Sequence, residues 1–309
     1  MHYPFFVYFY ILFFIYGDIL KIQPKCAHCL LSRVHFEAEL STEDKDLQYK
    51  AVKAGLEVLG DKFHPEASAT KVSTAIHRNA YEILNDKDPY LEKKRISNKI
   101  ALDLLPIAKK LIKYNDPVES FRKAVIASII GNSFDFGVLG FEIKEDFEKE
   151  FKELFKKGLD IDDTEKIIPL LPKVVYFADN CGEIVFDTLV FKAIKRFKGK
   201  ITLVVRGAPI LNDVTMETVE ELNLNKEVDD VLTTSSNAIG VCLEEASKEL
   251  LEAMENATLI ISKGMANYES LSEYEIKKPI AYLLRAKCEP VANSIGAEVG
   301  MMVAKLIVA

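Results

Sequence analysis

The chain has 309 residues, 49% of them hydrophobic and 28% charged, which is enough apolar material for one large domain or two smaller ones. A net charge of -7 excludes bulk attraction to nucleic acid or an anionic membrane, so small-molecule chemistry is the starting point. Five dispersed cysteines, Cys26, Cys29, Cys181, Cys242 and Cys288, suit a reducing cytoplasm and argue against a disulfide-stapled secreted fold.

Residues 1–20 form an apolar N-terminal extension, in which Pro4 to Tyr16 is an unbroken run of thirteen apolar and aromatic side chains. A membrane-spanning helix needs about 20. A secretory signal carries Lys or Arg before its apolar run and a small-residue cleavage site after it, and neither is present. The segment reads as an upstream extension from a start site assigned too early, with translation beginning near Leu20-Lys21. A short membrane-associating tail is the alternative. No stable membrane partner is expected.

Residues 21–160 read as a helical domain, because apolar positions recur at three- and four-residue spacing with Lys and Glu on the other faces. Helices are expected over Cys26–Glu39, Thr42–Leu59, Pro65–Leu84, Leu91–Tyr114 with an interruption at Pro106, Pro117–Ile130 and Glu145–Lys157. Ser41 or Thr42 and Asp116-Pro117 supply starts, and Gly60, Gly131 and Gly158 supply stops. After Asp160 the pattern changes to short β-rich runs separated by helical stretches, the signature of parallel strands with crossover helices. Residues 161–309 therefore read as an α/β/α domain with a mostly parallel sheet. Its interstrand helices are expected at Ile184–Phe197, Asp213–Leu222, Cys242–Met254 and Pro290–Val308.

The five expected strands are Val174–Ala178, Ile201–Val205, Val228–Leu232, Ala257–Ile261 and Ile280–Leu284, and each runs directly into a polar cluster. Ligands of parallel α/β sheets bind outside the carboxyl ends of the strands, so these clusters converge on one site. The first is Asp179-Asn180-Cys181-Gly182-Glu183, where a carboxylate and an amide oxygen can share a hard divalent cation. Taken alone, the motif reads more readily as Asp179 capping the following helix and Asn180 taking a turn conformation; the neighbouring clusters reverse that reading. The second cluster, Arg206 to Asp213, brings Asn212 and a third candidate ligand, Asp213, to the same edge. The third contributes Ser235, Ser236 and Asn237, and the fourth Lys263, Gly264 and Asn267. Lysines at strand ends, Lys263 and then Lys287, can reach a phosphate; Arg206 and Arg285 serve similarly or anchor loops. In the helical half, Asn132 and Asp135 follow Gly131 and are candidates for closing the site.

Together these residues resemble the DUF89 family, the damage-control phosphatases, over nearly all of Ile22 to Ala309. The resemblance rests on Cys26-Ala27-His28-Cys29, on Gly131-Asn132 with Asp135, and on Asp179-Asn180-Cys181-Gly182-Glu183 with Asp187. It continues through Arg206-Gly207-Ala208-Pro209-Ile210-Leu211-Asn212-Asp213-Val214-Thr215, Lys263-Gly264-Met265-Ala266-Asn267-Tyr268-Glu269 and Arg285-Ala286-Lys287-Cys288. It is closest to the archaeal subgroup with an N-terminal CxxC. The resemblance implies a helical domain beside a Rossmann-like α/β/α domain and a phosphatase using Mn, Ni, Mg or Co on a small phosphorylated metabolite. Its metal pattern maps onto Asp179, Asn180 and Asp213, and its phosphate-side lysine onto Lys287. The apolar extension is foreign to the family, and Arg285-Ala286-Lys287 only approximates the Arg-Thr-x-Lys element of another subgroup, which leaves substrate choice open.

The expected mechanism is metal-activated attack on phosphorus, with Lys263 and Lys287 neutralising the transferring group and Glu183 orienting or deprotonating the water. Arg206, Asn212, Ser236, Asn267, Asn132 and Asp135 are expected to contact substrate. An aspartyl-phosphate route is an open alternative. A methyltransferase-like protein and a non-catalytic phosphometabolite-binding protein are rival readings on the same fold; a dinucleotide dehydrogenase is disfavoured by the lack of a strand leading into Gly-x-Gly-x-x-Gly. Cys26 and Cys29 are half a zinc site, a redox dithiol or a packed pair. His64 and His77 carry no partner pattern, and oligomeric state is not legible.

Overall fold

The computed structural model describes residues 20–112, 115–133 and 144–308; residue 133 and residues 144–147 are described in backbone only. The apolar extension and Asp135 lie outside the described residues. Five helices precede the second segment of the fold: α1 Pro24–Ser41, α2 Lys45–Lys62, α3 Ala69–Leu84, α4 Leu91–Leu111 and α5 Pro117–Ser133. They are followed by α6 Lys144–Lys157, the short strand β1 Ile161–Asp162 and the single turn α7 Thr164–Ile167.

Several helix ends differ from expectation for local reasons. Helix α2 starts after Asp44, whose carboxylate accepts from the Asp46 and Leu47 N–H groups. Helix α3 starts four residues late, capped by the Ser68 hydroxyl. Pro106 does not interrupt α4, because it lies on the solvent face where water can take the carbonyl it leaves unpaired. Gly131 does not stop α5 either. It is the point of closest approach to the next helix, since a Cβ there would press on the Phe186 ring. That approach carries the following residue, Asn132, over the end of the sheet.

The remaining elements alternate: β2 Lys173–Phe177, α8 Glu183–Arg196, β3 Lys200–Val205, α9 Met216–Glu221, β4 Asp230–Thr233, α10 Lys248–Glu255, β5 Leu259–Lys263, α11 Gly264–Leu271, β6 Ile280–Arg285, α12 Glu289–Ile295 and β7 Met302–Ile307. The seven strands lie in the order β1-β7-β6-β5-β2-β3-β4, and every pair is parallel except β6 with β7. The expected α/β class with a helical N-terminal region and a mostly parallel sheet is therefore the fold observed.

The antiparallel β7 replaces the second half of the helix expected over Pro290–Val308. Helix α12 ends at Gly296 in the left-handed region (φ 75°), Gly300 turns the chain again (φ 94°), and Met302–Ile307 pairs with β6. Helix α9 is shorter than expected because Asp213 to Thr215 is extended, bridging to Asn180 and Arg206. Helix α10 begins only at Lys248, and α11 was not expected at all.

Alternation along the strands divides two cores. Val174 and Tyr176 of β2, Leu203 and Val205 of β3, and Leu259 and Ile261 of β5 pack with α4, α5 and α8 on one face. Val175, Phe177, Val204 and Ile260 face the other way, toward α10, α11 and α12. A third cluster joins α1, α2 and α3 to Ile210 and Ile239, which sit on loops after β3 and β4. The helices of the N-terminal region thus touch both one face of the sheet and the loops at its carboxyl edge.

Candidate active site

Chain direction across the sheet reverses at β2, which has β3 on one side and β5 on the other. Crevices form at such reversals, outside the carboxyl ends of the strands. Asp179 follows β2 at that point, and beside it Lys263 ends β5 and Gly264 begins α11. Gly264 takes a left-handed conformation (φ 73°), and a Cβ on it would overlap the Asp179 carboxyl group.

The loops after β2 and β3 are knitted together. Asn180 and Asp213 form a backbone bridge, the Val214 N–H donates to the Asp179 carbonyl at 2.9 Å, and the Cys181 N–H donates to the Asn212 carbonyl at 2.8 Å. Asp179, Glu183 and Asp213 are all buried, at 6%, 1% and 4% exposure. Burial, then the neighbouring Glu183 and Asp213 charges, pushes the Asp179 carboxyl up to about 8, although Arg206 and Lys287 pull the other way.

Neutral amides separate the crowded acids. The Asn132 side chain reaches down from α5 and donates to Asp179 Oδ2 at 2.9 Å and to Glu183 Oε2 at 2.6 Å. Asn180 donates to Asp179 Oδ2 at 2.6 Å. Asp213 accepts from Arg206 Nε at 2.5 Å, and Arg206 also donates to Asn267 Oδ1 at 2.8 Å. Asn267 in turn donates to the Ala178 and Lys263 carbonyls, which ties α11 to the ends of β2 and β5.

Lys263 is fully buried, and its ammonium lies between Glu183 and Asp187. Burial pushes this ammonium down, but the Asp187, Glu183 and Asp179 charges outweigh it and the net shift is upward. Asp187 accepts from the Ser128 hydroxyl at 2.5 Å, and burial raises its carboxyl to about 6 against the pull of Lys263. Lys263 thus faces carboxylates and not open space. Lys287 is exposed beyond β6, near enough for its charge to act on Asp179. Asn212 donates to the Cys181 carbonyl at 3.3 Å. Ser236 stands apart from the acids: its hydroxyl accepts from the Ala238 N–H and bonds Glu245, toward α3.

Two further residues shape the site. Asn98 of α4 accepts from the Gly182 N–H at 2.7 Å, holding the turn between Asp179 and Glu183. Asp187 partners Lys263. The four-residue step from Glu183 to Asp187 was a readable signal, because it places two acids on one face of α8; nothing in the sequence marks Asn98.

The donors present are those of a hard divalent cation, all carboxylate and amide oxygens. Among the described residues, no three His, Cys, Asp or Glu side chains already form a shell around a common point, because Arg206 and the asparagine amides occupy the carboxylates. Asn132 Oδ1 and Asn212 Oδ1 are buried with no hydrogen-bond partner among the described residues. Crowded acids and orphaned amide oxygens together fit a bound cation.

Residues 22–303 match the damage-control phosphatase ARMT1-like domain. A damage-control phosphatase of Archaeoglobus fulgidus is 47% identical over 290 residues, covering 93% of this chain and 100% of that protein. A damage-control phosphatase of Pyrococcus horikoshii is 31% identical over 288 residues, covering 92% of this chain and 97% of that one. The crystal structure of a DUF89 family protein from Pyrococcus horikoshii superposes with a TM-score of 0.84 at 30% identity, covering 92% of this chain and 98% of its own. The chain belongs to the damage-control phosphatase ARMT1-like family, also known as DUF89.

Proposed function

We propose that this protein is a divalent-metal-dependent phosphomonoester hydrolase acting on small phosphate esters, sugar phosphates or damaged phosphometabolites. The observation that carries the reading is the burial of Asp179, Glu183 and Asp213 together at the reversal point of the sheet. Three acids so placed repel one another, and a cation relieves the repulsion. The names of the relatives supply the phosphate chemistry.

Asp179, Asn180 and Asp213 would hold Mn, Ni, Mg or Co, and the bound ion would supply polarisation of a phosphoryl oxygen and acidification of water for attack on phosphorus. Glu183 is ion-paired with Lys263 and fixed by the Asn132 amide and the Asn180 N–H, so its carboxyl group is held in place to orient the attacking water. Lys287, at the exposed edge, neutralises the phosphate as it arrives. Lys263 acts through Glu183 and not on the phosphate directly. A cytoplasmic location agrees with five free cysteines.

The test is phosphate release from p-nitrophenyl phosphate and a panel of sugar phosphates, with each of the four metals and with a chelator. Metal-dependent release, lost in Asp179→Ala and Asp213→Ala, is expected. Full activity in both variants would end the proposal, and ligand binding without turnover would favour a non-catalytic binding protein.

A further inference from the structure

Leu211, two residues before Asp213, is held in the left-handed region at φ 45°. Asn and Asp gain local hydrogen bonds in that conformation, but leucine gains none, so a contact from elsewhere must hold it. The contact comes from the helical region: the Leu211 N–H donates to the Tyr81 hydroxyl at 3.0 Å. Ile210, fully buried, packs beside Tyr81 among residues of α1 and α3. The loop bearing Asn212 and Asp213 is therefore anchored on one side to α3 and on the other to the loop after β2, through Asn180 and Cys181.

Behind Tyr81 stands a buried polar chain. The Tyr81 hydroxyl donates to Glu37 Oε1 at 3.4 Å, and Glu37 sits 2.8 Å from His77 Nδ1. The imidazole and the phenol thus both lie within hydrogen-bond distance of the one Glu37 carboxyl group. Glu37 and His77 are wholly buried and Tyr81 is 7% exposed. Burial, then the Glu37 charge, holds the Tyr81 phenol well above its ordinary range, so it stays protonated. With its hydrogen committed to Glu37, the phenol turns a lone pair toward the Leu211 N–H.

We propose that Tyr81, oriented by Glu37 and His77, is a positioning residue that sets the Leu211 turn and thereby the placement of Asp213 for metal. The proposal rests on the metal reading above, and extends it to residues more than a hundred positions upstream of the ligand. Partners that orient metal ligands indirectly have large effects on affinity when removed.

The test uses Tyr81→Phe in the full chain, which keeps the ring and removes only the hydroxyl. Amide exchange at Leu211 should speed up at least about tenfold while amides of β3 are unchanged. Calorimetry with Mn²⁺ alone should show affinity weakened roughly 10-fold. Adding Leu211→Asn, which tolerates φ near 45°, should restore part of that affinity. Unchanged Leu211 exchange, or unchanged Mn²⁺ affinity beside a wild type that binds it, overturns the proposal. So does a loss of affinity matched by a general fall in the urea midpoint of the metal-free protein, which marks a merely structural role. A wild type that binds Mn²⁺ yet releases no phosphate sinks the hydrolase reading alone, and the exchange result judges the Tyr81 contact without any metal.

Discussion

Gly264 passes so close to Asp179 that a side chain at residue 264 and the Asp179 carboxylate cannot share the space. The glycine is needed twice over, for its left-handed backbone at φ 73° and for its missing Cβ. Gly264→Ala is expected to displace Asp179 and lower kcat/KM about 100-fold, the scale of a misplaced reacting group. Steady-state kinetics with saturating metal checks this, and wild-type turnover would show that Asp179 tolerates movement.

Lys263 is the cation of a buried network with Glu183 and Asp187. Removing one partner of such a network strands the others. Lys263→Met should therefore reduce unfolding free energy by about 3–5 kcal/mol, measured by urea denaturation. Adding Asp187→Asn should return part of the loss. An unaltered midpoint in the single variant would mean that the acids protonate at little expense.

Asn98 accepts from Gly182, whose N–H lies in a turn at φ 82° between two acids of the site. Asn98→Ala leaves that donor buried and unpaired, with an expected cost of about 1–3 kcal/mol. Activity should fall more than stability alone explains at temperatures where the variant is fully folded. A variant that matches wild type in both would remove Asn98 from any role in the site.

Burial, assisted by Glu273, pushes the Glu269 carboxyl of α11 up to about 7 from an ordinary value of 4.5. Between those two values the folded chain retains a proton that the unfolded chain has lost. Stability from this group is therefore complete below pH 4.5 and declines as pH rises to 7. Glu269→Gln should lack the decline. Thermal unfolding of metal-free protein at pH 5 and pH 8 is the check: the variant should gain on wild type at the higher pH, and a constant difference would refute the assignment.

Strands β2 to β6 were legible because short apolar runs bounded by turn residues have few other uses, and the parallel sheet followed from the helical stretches between them; β1, two residues long, has no such run. The last strand was not legible, because Val303 to Ile307 follows a helix start at Pro290 and reads as its continuation unless Gly296 and Gly300 are taken as two separate turns. At the site, adjacency of strand ends is a property of sheet order, and Asp179, Asp213 and Lys263 meet for that reason. What lay beyond the sequence was orientation. Lys263 and a free phosphate-binding lysine look the same in a string of letters, and only the fold shows that two acids of α8 already claim its ammonium. Ser236 belongs to a strand-end cluster on paper, yet its hydroxyl is spent on its own turn and on Glu245.

Because β5 lies between β2 and β6, it enters the middle of the sheet and not its rim. Until it is seated, Glu183 and Asp187 on α8 have no Lys263 to meet, and Asp179 has no Gly264 beside it. A sheet lacking its central strand would leave Glu183 and Asp187 without the ammonium that the finished molecule sets between them, so the charge at the site depends on the strand that completes the sheet.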